Sequence, residues 1–311
     1  MVQTSPASLS LEEFQALFDR CSNWGRWGPD DERGALNLIS AKHRIRAAGL
    51  VREGHTVSCA WPLNTVGDAE NTSPAVHLMV RAGDAVDEHP SRSTGDYVGI
   101  APHGQAHSHL DALCHVSWQG QMYNGRPISL VTSTGARASS ITIGQDGIVS
   151  RGVLLDIPFT KGVEWLEPGT PILPDDLEAA ESAASLRVEE GDILLVRTGR
   201  HRRRRAAGPW ETRTSLAGLH YSCGPWLRER GVALLGSDGS SDFRPHGVAD
   251  VGLPFHTLTL VAMGMQLLDH QNLDDLAEAC AARRRWEFML VIAPLRIEGG
   301  TASAVNPIAI F

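Results

Sequence analysis

The 311 residues contain no run of eighteen apolar positions, no C-x-x-C pair and no excess of positive charge. Without such an apolar run there is no candidate membrane span. The N-terminus, MVQTSPASLSLEEF, has neither the basic start nor the apolar middle of a secretory leader, so a cytoplasmic protein is expected. Five scattered cysteines, an odd number, make a disulfide framework a poor reading and imply reduced thiols. A net charge of −8 excludes the broad basic surface that phosphate-backbone binding needs, so nucleic acid is not expected as a partner. The nucleophile elbow G-x-S-x-G, the dinucleotide fingerprint G-x-G-x-x-G and the phosphate loop G-x-x-x-x-G-K-[ST] are all missing. Serine-hydrolase, nicotinamide and nucleotide-hydrolysing chemistry therefore lack support. The one basic run, RHRRRR at 200–205, reads as a self-repelling solvated loop.

What remains has the makings of an ordinary core, with 42% hydrophobic and 21% charged residues. Ser10 followed by Glu13 is a capping-box signature for a helix through LEEFQALFDRC. Short β-like pieces between turns follow from GHTVSCAWPL to about Ile100. In the second half RGVLLDIP, GDILLVRTG and GVALLGSDG are apolar strand runs, and WEFMLVIAPLRI and SAVNPIAIF return to strand. PDDLEAAESAAS, FHTLTLVAMGMQLL and NLDDLAEACAARR read as helices, the last capped by Asn272. The alternation predicts a single mixed α/β domain over 1–311, helices packed on a mixed sheet, with an N-terminal helical and loop extension at about 1–50.

Four of the thirteen histidines fall in HGQAHSHLDALCHV, residues 103–116. On a strand, positions two apart face one way, so His109 and Asp111 can offer an imidazole nitrogen and a carboxylate oxygen to one point. His115 can return over that point after a turn, and His103 or His107 can complete the shell. Imidazole with carboxylate, and no thiolate pair, suits an open Zn, Mn or Fe site rather than a closed structural zinc. Clustered imidazoles repel one another when protonated, so a cation or an acidic partner is needed to organise them. Cys114 reads as a buried thiol, because it faces away from His115 on a strand. Asp238 and Asp242 stand near the end of a strand, where both turn chemistry and function are open. Trp24, Trp27, Trp118 and Tyr123 can form flat walls for an aromatic substrate or pack as core. HSH at 107–109 also matches the H-x-H of barrel amidohydrolases and of cupins. The irregular first hundred residues disfavour the barrel, and the helices disfavour the all-β cupin.

The same window resembles the metal-site motif H-x-D-x-x-x-H of the cyclase family of metal-dependent hydrolases, which includes bacterial kynurenine formamidase and isatin hydrolase. WGPDDERGALNLI, MYNGRP, RGVLLDIP, GDILLVRTGR, LLGSDGSSD, PFHTLTLVAMGMQLLD and WEFMLVIAPLRIEGGTASAVNPIAIF extend the resemblance over nearly the whole chain. It implies a swivelling β/β/α fold, a homodimer or homotetramer, and a divalent metal, Zn or Mn. His109 and Asp111 become ligands, His115 a catalytic base or proton shuttle, His256 a later catalytic or ligand histidine, and Asp269 stands where many members place a Glu. One position departs: a formamidase ligand histidine four residues before His109 is Gln105 here; His103, His107 or the Gln105 amide oxygen could take that place, and a single-metal site is expected rather than a full two-metal one. The implied activity is cleavage of a C–N or C–O bond beside a carbonyl (amide, lactam, imide or lactone) in a small cyclic or aromatic substrate, by metal-activated water. Ring closure or dehydration, and a non-catalytic metal-stabilised scaffold, are the alternatives.

Overall fold

The computed structural model describes residues 9–84 and 91–311. Residues 1–8 of the expected N-terminal extension lie outside the described residues. Nine strands form one mixed sheet: β1 (Thr56–Ser58), β2 (His109–Asp111), β3 (Ile148–Asp156), β4 (Ile193–Arg197), β5 (Leu234–Ser237), β6 (Gln266–Asp269), β7 (Glu287–Ile292), β8 (Ala302–Ala304) and β9 (Ile308–Ile310). Their order is β1-β9-β7-β3-β4-β5-β6-β2-β8. The middle four, β3-β4-β5-β6, are parallel, and every pairing outside them is antiparallel.

Burial explains this division. Parallel strands are covered on both faces and read as continuous apolar runs, and β4, β5 and β6 are buried at every position. In β7 buried and half-buried residues alternate, the period-2 signature of a strand covered mainly on one side. The helices α1 (Leu11–Cys21), α2 (Ala41–Ala48), α3 (Pro174–Ala184), α4 (Arg200–Ala207), α5 (Cys223–Arg230) and α6 (Leu273–Arg283) pack around the sheet, α2 against β3 and α6 against β1 and β4. The mixed α/β architecture expected from the sequence is the one observed. Among the described residues no helix is long and apolar enough to cross a membrane.

Two local readings need correction. RHRRRR is α4, not a solvated loop. Arg200 pairs with Glu70, Arg204 with Asp68 and Glu70, Arg202 and Arg205 with Asp274, and Arg203 with Glu167. The repulsion between like charges is offset by acids drawn from three other segments, around residues 68–70, 167 and 274, which a local window does not contain. FHTLTLVAMGMQLL is a helix only in its first part. Pro254–His256 runs into a π-helix, Thr257–Met263; Gly264 then turns the chain at φ +63° and β6 begins. Tyr123 closes over that turn, so a Cβ on Gly264 would lie 2.5 Å from its ring. Gly264→Ala combines left-handed strain with overpacking, and a loss of about 2–4 kcal/mol is expected in chemical denaturation. An unchanged midpoint would show that the turn yields freely.

Histidines outside the 103–115 window add a pH term. His220 is buried beside Tyr221 and Phe243, and burial pushes its pKa down to about 4. The folded value lies below the unfolded one, so this contribution is full above about pH 6.5 and is lost as pH falls towards 4. It amounts to at most about 3 kcal/mol. In metal-free protein, His220→Gln is expected to flatten the decline in stability between those limits. A decline as steep as wild type would mean that the folded and unfolded histidines titrate alike.

Candidate metal centre

The three-residue strand β2 lies between β6 and β8, with Asp269 opposite His109 and Ala302 opposite Asp111. This ladder on both sides fixes the direction of the two side chains that the sequence pairs. His109 Nδ1 donates to the carbonyl of His107 at 2.7 Å, which leaves Nε2 to face Asp111 Oδ1 at 3.5 Å. His103 comes from the loop before the strand. Its Nε2 bonds Thr301 Oγ1 at 3.0 Å, and Nδ1 lies 2.9 Å from the same Asp111 oxygen.

The other Asp111 oxygen looks the opposite way. Oδ2 is 3.6 Å from His256 Nε2, which is also 3.4 Å from Asp269 Oδ2. His256 is held from behind, since its Nδ1 bonds Asp242, which also accepts from the Phe255 amide at 2.9 Å. Ser241 donates to Asp269 Oδ1 at 2.9 Å. Two donor groups result, His103–His109–Asp111 and Asp111–His256–Asp269, each with its ligand atoms within 4.8 Å of one another. They share Asp111, one oxygen to each side.

Both Asp111 oxygens are buried and have no hydrogen-bond partner among the described residues, although imidazole nitrogens surround them. Imidazole nitrogens and carboxylate oxygens that converge in this way form donor groups that could each hold a cation. Charge gives the same answer. Asp111, Asp242 and Asp269 are buried together, and among the described residues none is ion-paired to Arg or Lys. In the chain alone, burial works to raise the Asp111 pKa, but His109, His103 and His256 outweigh it and hold it well below the usual range. Burial likewise works against the charged form of His256, yet Asp242, Asp111 and Asp269 drive its pKa well above that of free histidine. A divalent cation would take over the positive charge that His256 now supplies, and the His and carboxylate donors fit a transition metal.

His115 belongs to neither donor group. It stacks on His103 with ring centroids 3.7 Å apart and meets His256 edge-on at 6.4 Å. Burial brings its pKa down to about 4, so the ring is neutral. The other expected ligands are placed elsewhere. His107 Nε2 lies 3.4 Å from the Ser73 carbonyl. Gln105 faces a cavity shared with Arg200, and His103 stands at the cluster in its place. The four aromatic residues have packing partners. Tyr123 is fully buried and donates to Asp31, while Trp24 and Trp118 donate to Val261 and Gln15 and meet Phe18 and Phe14 edge-on. Trp27 lies under Arg26. Cys114 is buried, and burial pushes its thiol up to about 12, which removes it as a nucleophile.

Sequence reasoning did not find Thr301 or Ser241, which orient ligands from distant segments and have no local signature. Asp242 had a signal in LLGSDGSSD that turn chemistry explained equally well. The structure separates the two acids there: Asp238 accepts from the amides of Thr198, Gly199 and Arg200 at the start of α4, whereas Asp242 holds His256.

The Cyclase family model matches residues 54–241. A crystal structure described as a novel cyclase shares 30% sequence identity, with a TM-score of 0.85 over 94% of this chain and 99% of its own. An isatin hydrolase bound to the product analogue thioisatinate is 18% identical, with a TM-score of 0.59 over 87% of this chain and 98% of its own. A potential metal-dependent hydrolase with cyclase activity is 16% identical, with a TM-score of 0.51 over 82% and 96%. The last two likenesses are of fold. No curated protein matches in sequence.

Proposed function

This chain belongs to the cyclase family, and from that premise we propose that it is a metal-dependent hydrolase of an amide, lactam, imide or lactone in a small cyclic or aromatic molecule. The observation that carries this reading is the shared carboxylate, Asp111, with both oxygens buried, unbonded and each turned to its own set of donors. His103 and His109 would hold an ion on one side, and His256 and Asp269 on the other, with Zn or Mn suited to these ligands. A bound ion supplies Lewis acidity to a carbonyl oxygen and makes water a better acid.

The remaining steps fall to side chains. His115, neutral and outside both donor groups, accepts a proton from the attacking water and returns it to the departing nitrogen or oxygen. Asp242 keeps His256 turned towards Asp111 and Asp269, and Thr301 does the same for His103. His256 thereby moves from a proton carrier to a ligand in this reading.

The test is a panel of formamides, lactams, imides and lactones offered to metal-reconstituted protein, with products identified by mass. Addition of one water with release of a carboxylate is expected. Loss of water or ring closure from open-chain compounds, with no hydrolysis of the panel, would replace this reading with the cyclase or dehydratase one. The likeness to an isatin hydrolase supports the hydrolytic direction.

We also propose that the chain works as a homodimer or homotetramer. The support is a two-stranded hairpin, Val76–Arg81 with Gly95–Gly99, whose one face exposes Val76, Leu78 and Tyr97. Such a hairpin is marginal by itself in water, and a second copy would cover it. Sedimentation of a monomer only would sink this part.

A further inference from the structure

Behind the loop that carries the metal motif lies a cavity of about 110 Å³, walled in part by Trp61, Gln105, Arg200 and His201. Each of these four lining residues carries a buried polar atom (Trp61 Nε1, Gln105 Oε1, Arg200 Nε and His201 Nε2) that has no hydrogen-bond partner among the described residues. Buried polar atoms are rarely left unpaired, because each costs about 1–3 kcal/mol of desolvation. Four around one small space point to an occupant.

The walls limit what that occupant can be. The Arg200 side chain, 2% exposed, bonds Glu70 at 2.7 Å, His270 Nδ1 at 2.8 Å and the Gln105 carbonyl at 3.1 Å through its two Nη atoms, and Nε is its one nitrogen without a partner among the described residues. Arg204 pairs with Asp68 and Glu70. Two guanidinium groups therefore meet two carboxylates, and the lining is electroneutral. Burial and the neighbouring arginines push the His201 pKa well down, so this ring adds no charge. An anion would displace one of the acids or sit against it, and a cation would meet both arginines. The Trp61 and Arg200 N–H groups match the two lone pairs of one carbonyl oxygen, and the Gln105 side-chain oxygen matches an N–H. Size gives the scale, since an apolar cavity of about 150 Å³ admits benzene. A space of 110 Å³ suits about four non-hydrogen atoms.

We propose that this cavity is a binding site for a small neutral primary amide, its carbonyl oxygen accepting from Trp61 and Arg200 and its N–H group donating to Gln105. The site is separate from the metal cluster but shares its scaffold. Gln105 precedes the ligand strand on the same loop, and Arg200 steadies His270, whose ring stacks on His109 with centroids 6.0 Å apart. The Trp61 backbone amide donates to Ser108 Oγ at 3.0 Å, and Ser108 in turn donates to the His270 carbonyl at 2.6 Å. Occupancy would thus be felt by the strand that carries His109 and Asp111.

Acetamide is the probe, and the Trp61 indole N–H signal in a proton–nitrogen spectrum is the readout. Trp61→Phe assigns it as the one of eight tryptophan signals that disappears. A saturable shift confined to that signal is expected, with a dissociation constant of about a millimolar for a four-atom ligand. Acetate at the same concentrations should leave it in place. Gln105→Leu should weaken the acetamide response at least tenfold, and Gln105→Met serves if the leucine variant does not give a folded spectrum. A response to acetate as strong as to acetamide would overturn the neutral-amide assignment. No saturable shift with either probe would mean that the cavity holds water only, and an unchanged affinity in both Gln105 variants would remove Gln105 from the site. Metal content is not read here, so failure of this site and failure of the hydrolase reading are distinguishable.

Discussion

Asp111→Asn is expected to strip the cluster of its metal and to lower turnover by about a thousandfold or more. The residue belongs to both donor groups, one oxygen in each, so a single substitution weakens every position at which an ion could be held. Loss of several kcal/mol of stabilisation from the ion corresponds to that factor at roughly 1.4 kcal/mol per decade. The fold should survive, because the pairing of β2 with β6 and β8 uses backbone groups. Elemental analysis beside circular dichroism checks this: a folded Asn variant with wild-type metal content would refute the cluster as a metal site.

His115→Ala should behave differently. The side chain stacks on His103 and lies in neither donor group, so metal content should stay at the wild-type level while turnover falls about a hundredfold to ten-thousandfold. His103→Ala is the natural companion, since loss of a ligand should lower metal and activity together. Should His115→Ala lose metal in proportion to activity, it is a ligand and the division of roles proposed above is wrong.

How far these features could be read from the sequence depends on how local their causes are. The strand runs in the second half were legible because strands buried on both faces must be apolar throughout. The α1 cap was legible because Ser10 and Glu13 bond each other across one turn. The His109–Asp111 bite followed from strand period alone, and the family resemblance pointed to His256 and Asp269. The pairing of Asp269 with His109 is a register between strands 160 residues apart, which no window contains. The same holds for α4, whose five arginines are neutralised by acids at 68, 70, 167 and 274, and for His103. Gln105 occupies the spacing at which the resemblance asks for a ligand, but the irregular loop turns His103 inward and Gln105 towards Arg200.

The placement of the two donor groups also sets an order for ion exchange. Asp111, His256 and Asp269 are each at most 4% exposed, whereas His103 reaches the cluster from a loop and leaves 30% of its side chain open to solvent. A chelator meets the His103 side first and can capture an ion there after one loop side chain swings out. Release from the inner side needs a sheet strand or the start of the π-helix segment to open, and openings of core elements are rare. Metal loss to excess chelator should therefore run in two phases of equal amplitude, and His103→Ala should remove the fast one. A single phase in the wild type would indicate one ion or two equally accessible ones. In a cell short of metal such a protein would pass through a half-loaded form, with the inner ion retained and the solvent-facing one in exchange with the surrounding pool.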